Sequence, residues 1–191
     1  MSAFFAILSR QKHIKRWGLM RNSSAEDVAQ HTAQCAMLAH ALAVIGNRRL
    51  GRAYDPAQAA LRALYHESAE VLTGDLATPV KYFDQNLRDA YKRIETLAEQ
   101  RLLQTLPQDM QEEYSALLTP PIDDIAKIVK AADRLCAYLK CVEELQAGNQ
   151  EFESAARATL AKLSEMDCPE ASIFLEEFAP AFGLTIDEIS L

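Results

Sequence analysis

The chain lacks the features of a sheet-containing protein. Only 6 glycines occur among its 191 residues, and no segment alternates apolar and polar residues with the period of two that marks a half-buried strand. Apolar residues instead recur three and four positions apart, which is the spacing of one face of an α-helix. Repeats, low-complexity tracts and linkers long enough to divide domains are also lacking. We therefore predict an all-α protein that forms a single domain over residues 1–191.

Positive charge is scarce as well. The 20 Lys and Arg residues are outnumbered by 27 Asp and Glu residues, which gives a net charge of −7. A protein that binds a nucleic-acid polymer needs concentrated Lys and Arg for its phosphate contacts, so this balance argues against that class. A small anionic substrate is compatible with it, because one bound cation and one or two arginines can reverse the local field.

The sequence has no pair of cysteines at CxxC spacing and no long apolar run. Its 4 cysteines are typical of buried, reduced thiols in a reducing cytosol; they are Cys35, Cys136, Cys141 and Cys168. The N-terminal apolar run, residues 4–8, is too short for a signal sequence or a membrane span. These absences predict a soluble cytoplasmic protein with no membrane partner.

Capping and turn residues predict where the helices begin and end. Residues 23–26 (SSAE) have the pattern of a capping box before an amphipathic helix over 28–45. The pair Asp55-Pro56 predicts the start of a helix that reaches about residue 72. A long helix starts near residue 125 and is closed by Gly148-Asn149. Further helices are predicted over 87–106, 108–117, 151–166, 170–178 and 185–190.

Residues 65–75 (YHESAEVLTGD) place one imidazole and three carboxylates at a predicted helix end and the turn after it. Glu70 is four residues from His66 and three from Glu67, so the helical spacing puts it on the same side as both. Carboxylates at this spacing are also common on solvated helix faces. The local pattern alone therefore does not select a function.

Two residues distant in the sequence favour a functional site over a solvated helix face. His31 occupies a position at which the helical period predicts an apolar residue, and Asp133 lies at the edge of the apolar face of a strongly apolar helix. A lone inward histidine is usually a hydrogen-bonded core residue, but an unpaired carboxylate at an apolar position is costly. A divalent ion held by His31, the His66-Glu67 pair and Asp133 would satisfy all four side chains at once. Such an ion can polarise a phosphoryl group and activate water.

The sequence resembles the bacterial HD-domain 5′-deoxynucleotidases over nearly its whole length. The central match is residues 65–83 (YHESAEVLTGDLATPVKYF). Shorter matches are Ser9-Arg10, Arg16-Trp17, 19–22 (LMRN), 26–31 (EDVAQH), 130–133 (KAAD), 135–141 (LCAYLKC) and 184–190 (LTIDEIS). The resemblance implies a compact helical HD-domain bundle that removes phosphate from deoxyribonucleoside 5′-monophosphates. It also implies a homodimer.

The resemblance assigns the metal ligands to His31, His66, position 67 and Asp133, holding one divalent ion per chain such as Co, Mn, Zn or Mg. This chain departs from the family at one of them, because the family's Asp is Glu67 here. A glutamate is still an oxygen ligand, but it is one methylene longer, so the geometry of the site must shift. We expect metal binding to be retained, with an altered preference among ions.

The resemblance also implies roles for the residues around the metal. Glu70 matches the acid that handles protons during hydrolysis. Asp75 matches a carboxylate placed at the sugar 3′-hydroxyl, and Arg16 matches a phosphate-binding arginine, whose guanidinium offers a bidentate fork. Trp17 matches the aromatic residue that crowds the 2′ position and so disfavours ribonucleotides.

Three other functions remain open from the sequence. One is another phosphohydrolase of the same fold, either a phosphodiesterase or a nucleoside triphosphohydrolase. The second is a catalytically silent nucleotide-binding module, in which Glu67 marks the loss of activity. The third is a structural helical protein whose polar residues coincide by chance.

Overall fold

The structure is a computed structural model that describes residues 1–81 and 83–189. Ten α-helices lie in these residues: α1 (Phe4–Leu8), α2 (Val28–Arg49), α3 (Pro56–Tyr65), α4 (Glu70–Thr73), α5 (Thr78–Lys81), α6 (Gln85–Gln104), α7 (Gln111–Leu118), α8 (Asp124–Gln146), α9 (Glu153–Ser164) and α10 (Pro169–Glu177). Short 3-10 helices occur at Ser9–His13, Gln108–Met110, Gln150–Phe152 and Ala179–Gly183. No strand forms within the described residues, so the predicted all-α class is confirmed. Tyr82 and Ser190, which belong to the matched motifs, lie outside them.

Several helix boundaries follow from the capping residues of the sequence. The Asp84 side chain accepts a hydrogen bond from the Leu87 amide at 2.7 Å, which fixes the start of α6. Asp123 caps α8 in the same way through the Ala126 amide at 2.9 Å. Gly148 adopts a φ of 83° just after α8, a left-handed conformation that glycine reaches without steric cost.

The predicted capping box at residues 23–26 is wrong. The cap of α2 is Asp27, whose side chain accepts from the Gln30 amide at 3.0 Å while the Gln30 side chain accepts from the Asp27 amide at 3.0 Å. The amides of Ser23 and Ser24 instead donate to the buried Glu144 carboxylate, at 2.8 and 3.2 Å. Glu26 therefore does not cap α2.

The predicted continuous helix over 56–72 is wrong as well. The chain leaves α3 after Tyr65, runs through turns at residues 66–69 and re-enters a helix at Glu70. Ser68 explains the break, because its hydroxyl donates to the Tyr65 carbonyl at 2.6 Å and its amide donates to the same oxygen at 3.0 Å. A serine that binds the backbone locally competes with the helical hydrogen-bond pattern.

The predicted helix over 185–190 forms only turns in its described part, residues 185–189. Glu188 accepts hydrogen bonds from both the amide and the hydroxyl of Thr185, at 2.8 and 2.9 Å. These bonds close one turn, and the described chain ends at Ile189.

The fold comprises two compact units. The first contains Met1–Arg21, Ala25–Ala33 and Leu64–Pro121. Its core is formed by the buried side chains of Phe4, Leu102, Leu106 and Leu118. Tyr114 packs its ring edge against Phe4, with the ring centroids 5.1 Å apart. The segments that carry most of the predicted site residues belong to this unit.

The second unit contains Asn22–Ser24, Gln34–Ala63 and Ile122–Leu191. Its core combines apolar side chains of α2, α3, α8 and α10, including Leu42, Ala63, Leu135 and Phe174. The single-domain organisation expected from the sequence stays a prediction.

Within the described residues, α2 is the helix that is long and apolar enough to cross a membrane by length and composition. Half of its most apolar window, 50%, is buried inside the protein. Core helices of globular proteins have this character.

Candidate active site

Two histidines from distant parts of the sequence lie side by side in the first unit. His31 is in the first turns of α2, where its amide donates to the Asp27 carbonyl at 3.0 Å, and its side chain is fully buried, with 0% exposed. His66 is the first residue after α3. The two ring centroids are 5.3 Å apart. The sequence prediction that His31 points inward is confirmed.

Four side chains are placed so that they could hold a metal ion. His31, Cys35, His66 and Asp133 each offer one ligand atom, and these atoms lie within 4.8 Å of one another. Two imidazoles, a thiolate and a carboxylate form a donor set that suits a divalent transition metal such as Zn. These donors fit the divalent-ion centre that the sequence predicts, and Cys35, for which the sequence predicts only a buried thiol, adds a donor to the predicted set.

Glu67 is not one of these four residues. Its Oε1 lies 3.5 Å from His66 Nε2 and 3.9 Å from Arg16 Nη1, and its side chain is 21% exposed. The predicted role of Glu67 as a metal ligand therefore stays a prediction. Its carboxylate also provides negative charge beside His66.

Glu70 is buried close to two other carboxylates, those of Glu67 and Asp75. Only 6% of the residue is exposed, and its Oε2 atom has no hydrogen-bond partner among the described residues. Burial, with the nearby charges of Glu67 and Asp75, raises the pKa of Glu70 to about 9, against an opposing effect of Arg16. In the protein without a metal, this carboxyl is thus protonated at neutral pH, as a general acid must be.

Asp75 follows the end of α4 and belongs to the same group of charges. Burial raises the pKa of Asp75, while Arg16 opposes that rise and His31 and Lys81 add to the opposition. The backbone before Asp75 is fixed by Tyr91, whose hydroxyl donates to the Gly74 carbonyl at 3.1 Å. Gly74 itself has a φ of 72°, which lets the chain turn sharply after the short helix.

Arg16 and Trp17 are held by Glu26, for which the sequence predicts only a capping role. Glu26 Oε2 accepts a hydrogen bond from Trp17 Nε1 at 2.8 Å and from Arg16 Nε at 3.3 Å. Only 8% of Glu26 is exposed. The one sequence signal is that an acid precedes Asp27, and the predicted capping box assigns that acid to the helix start.

The predicted residues of the first unit are thus neighbours. The electrostatic effects on Glu70 and Asp75 arise from Arg16, Glu67 and His31, in addition to burial. Lys81 contributes one more cation; its Nζ lies 2.8 Å from Glu95 and 4.9 Å from the centre of the Tyr91 ring. One arginine, one lysine and a buried protonated acid beside two histidines can bind and protonate a phosphorylated ligand.

Comparison with known proteins identifies relatives along the whole sequence. The family model described as 5′-deoxynucleotidase YfbR-like matches residues 3–182. A 5′-deoxynucleotidase of Vibrio parahaemolyticus is 49% identical over 191 residues, which cover 99% of this chain and 98% of the relative. A 5′-deoxynucleotidase of Cronobacter sakazakii is 48% identical over 191 residues, with coverage of 99% and 96%.

Solved structures with the same fold are more distant in sequence. An HD-domain phosphohydrolase from Listeria innocua superposes with a TM-score of 0.81 at 24% identity, over 94% of this chain and 87% of that one. An HD phosphohydrolase of cyanophage S-2L, bound to dA and one catalytic Zn²⁺ ion, gives a TM-score of 0.65 at 17% identity, over 94% and 96%. These likenesses concern the fold. With the match over residues 3–182, the resemblance seen in the sequence is confirmed, and the chain belongs to the YfbR-like 5′-deoxynucleotidase family.

Proposed function

We propose that this protein is a metal-dependent phosphomonoesterase that hydrolyses deoxyribonucleoside 5′-monophosphates to a deoxynucleoside and phosphate. The observation that carries the proposal is the buried carboxyl of Glu70, which is only 6% exposed and lies within electrostatic range of the Arg16 guanidinium, beside a group of side chains that could hold a metal ion. Cleavage of a phosphate ester is helped by a proton donor for the leaving oxygen and by a cation that binds the phosphate, and Glu70 and Arg16 can supply these two functions. Family membership supplies the substrate class.

We propose His31, His66, Glu67 and Asp133 as the ligands of one divalent ion, with Cys35 as a further donor at the same place. When bound, such an ion polarises a phosphoryl oxygen and lowers the pKa of a bound water. The zinc-containing cyanophage relative and the mixed nitrogen, sulfur and oxygen donors support Zn as the first candidate. Co, Mn and Mg are the other ions to be compared.

The remaining roles follow from the chemistry of each side chain. Arg16 would bind two phosphate oxygens through its guanidinium fork. Glu70 would donate its proton to the leaving 5′-oxygen and so avoid release of a free alkoxide. Asp75 would accept a hydrogen bond from the sugar 3′-hydroxyl, and Trp17 would fill the space in which a 2′-hydroxyl would otherwise sit.

We further propose a cytoplasmic homodimer. Cytoplasmic location is supported by four buried cysteines that form no disulfide in the described chain. Dimerisation is supported by apolar side chains that α6 leaves open to solvent, with 51% of Ile94 and 54% of Leu97 exposed. Light scattering should give about twice the 21.3 kDa of one chain; a mass of one chain at working concentration would contradict the dimer.

The decisive experiment for the activity is release of inorganic phosphate. Purified protein is incubated with dAMP, dGMP, dCMP, dTMP and AMP, with each candidate ion and with a chelator, and Glu70→Gln serves as the matched inactive control. We expect turnover of all four deoxynucleotides, weak turnover of AMP, and loss of activity with chelator. Equal rates on dAMP and AMP would contradict the proposal. A preference for a dinucleotide or for dATP would favour a phosphodiesterase or a triphosphohydrolase.

Metal stoichiometry is tested separately by elemental analysis of the reconstituted protein. We expect one ion per chain, and His31→Ala should abolish it because an imidazole at the centre of the group is lost. Protein that retains no ion after reconstitution, but still binds dAMP, would indicate a nucleotide-binding module without catalysis.

A further inference from the structure

We propose that Glu26 is a positioning residue that sets substrate affinity and sugar selectivity by holding Arg16 and Trp17 in one arrangement. The assignment of phosphate and sugar contacts to those two residues rests on the proposed function. Glu26 itself needs no contact with the substrate. Its action is to fix the directions in which its two neighbours point.

A single carboxylate oxygen joins the two residues. Glu26 Oε2 accepts from the Trp17 indole at 2.8 Å and from Arg16 Nε at 3.3 Å, and the residue is only 8% exposed. The backbones of the two segments also pair here. The Arg16 amide donates to the Glu26 carbonyl at 3.0 Å, and Lys15 and Asp27 form an isolated antiparallel β-bridge. Residues 15–17 are therefore held against residues 26–27, just before α2, by both side-chain and backbone contacts.

Arg16 donates to Glu26 through Nε, so its two terminal guanidinium nitrogens are not used by this bond. Nε is occupied by Glu26, while the terminal Nη1 lies 3.9 Å from the Glu67 carboxylate beside the histidines. A guanidinium held through Nε presents its two terminal nitrogens in a fixed plane, which suits bidentate recognition of phosphate oxygens. Without this anchor the long arginine side chain would have to be ordered each time that a substrate binds.

Trp17 carries a second sign of constraint. Its φ is 57°, and it is the one non-glycine residue with positive φ in the described chain. Bulky residues rarely adopt this left-handed conformation, and such strain persists only where surrounding interactions enforce it. The hydrogen bond from its indole to the buried Glu26 carboxylate is an interaction of this kind.

The other oxygen of the same carboxylate faces the histidine centre. Glu26 Oε1 lies 3.9 Å from His31 Nδ1, so the carboxylate approaches the imidazole without a hydrogen bond to it. Glu26 thus connects the residues proposed for phosphate and sugar with the first of the histidines.

The test compares two substitutions that remove different parts of the contact. Glu26→Gln keeps a carbonyl oxygen for the Trp17 indole but removes the charge that pairs with Arg16, so we expect the KM for dAMP to rise about tenfold with little change in the ratio of kcat/KM for dAMP over AMP. Glu26→Ala removes both contacts, so the KM should rise further and that ratio should fall severalfold. Lys15→Ala is the control, because its side chain is 60% exposed on the same loop.

Fluorescence gives a measurement that does not depend on activity. Trp17 is the only tryptophan in the chain, so its emission reports the indole environment directly. We expect a shifted emission in Glu26→Ala, emission close to wild type in Glu26→Gln, and no change in Lys15→Ala. Circular dichroism and thermal unfolding establish that each variant is folded; if Glu26→Ala does not fold, the KM of Glu26→Gln decides the outcome.

Two results would overturn the inference. One is Trp17 emission that is unchanged in folded Glu26→Ala. The other is a loss of thermal stability with the KM for dAMP and the deoxy-to-ribo ratio both left at wild-type values, which is the behaviour of an ion pair that acts only in folding. A wild-type protein that does not distinguish dAMP from AMP, combined with a shifted emission in Glu26→Ala, would count against the proposed function alone.

Discussion

The Glu67 carboxylate acts on the buried carboxyl of Glu70: burial has the larger effect, and the neighbouring charge of Glu67 raises the pKa of Glu70 further. Two neighbouring carboxyl groups do not both ionise readily in a buried environment, so one of them keeps its proton to higher pH. Burial places the proton on Glu70, because Glu70 is almost fully enclosed while Glu67 has 21% of its side chain exposed and lies 3.9 Å from Arg16. The two acids therefore have different environments, which is the condition for giving one of them the role of proton donor.

The first prediction follows from this proton. Glu70→Ala should lower kcat for dAMP by about 10²–10⁴-fold, the usual contribution of a proton-transfer group. Binding of dAMP and of the metal should change little, because Glu70 is proposed neither as a ligand nor as a phosphate contact. Steady-state kinetics with a parallel binding titration check this. A variant with kcat near wild type would show that another group donates the proton.

The second prediction concerns stability without a metal. The pKa of Glu70 rises from an ordinary 4.5 to about 9 on folding. Between these values the folded state binds more protons than the unfolded state, so this group makes the free energy of unfolding fall as the pH rises through the window. Glu70→Gln cannot ionise and should be the more stable protein at the alkaline end, by about 1–3 kcal/mol, the range for a buried polar group without a partner.

Thermal unfolding with chelator at both ends of that window provides the measurement. The difference in Tm between Glu70→Gln and wild type should widen as the pH rises. A difference that is constant with pH would mean that Glu70 does not titrate between the two values.

The third prediction uses the departure at position 67. Glu67→Asp should leave a folded, metal-binding protein in which a different ion gives the highest activity, because the shorter side chain changes the geometry of the site. Glu67→Ala should weaken metal affinity and lower turnover by orders of magnitude. Activity and bound metal are measured for Zn, Co, Mn and Mg in parallel. Wild-type activity of Glu67→Ala with every ion would remove Glu67 from the ligand set.

The fourth prediction concerns Cys35, which is fully buried and supplies one of the four clustered donor atoms. In protein loaded with Co²⁺, a bound thiolate should produce an intense near-ultraviolet charge-transfer band, and Cys35→Ala should remove that band without adding volume at this buried position. Cys136→Ala is the control, since Cys136 is buried outside the cluster. A wild-type cobalt spectrum that lacks the band would mean that the thiol packs beside the ion without binding it.

The sequence was most informative where one residue determines local structure. The pair Asp55-Pro56 at the start of α3 and Gly148 after α8 set boundaries close to those observed, because each supplies a backbone requirement that few other residues meet. His31 was identifiable because an imidazole interrupts an apolar period. These signals are local, and they needed no knowledge of the tertiary structure.

The remaining features depend on contacts that no local pattern encodes. Ser68 ends α3 through a bond to Tyr65, yet serine also occurs inside helices. Cys35 fits the apolar face of α2 and gave no sign of a second role. Glu26 was attributed to a cap because its partners, Arg16 and Trp17, lie in a loop whose path cannot be deduced from the spacing of its residues.

The fifth prediction separates recognition of the sugar from catalysis. Trp17→Ala should open space at the proposed 2′ position, so the ratio of kcat/KM for dAMP over AMP should fall more than the rate on dAMP itself. The effect should not exceed roughly 10²-fold, because an apolar wall rejects an added hydroxyl only modestly. Trp17→Phe is the matched variant, since it keeps a ring but cannot donate to Glu26, and we expect it to lie between Ala and wild type. The observation that would remove this role is a wild-type ratio in Trp17→Ala accompanied by a large loss of Tm, because a tryptophan that only fills the core affects stability and not selectivity.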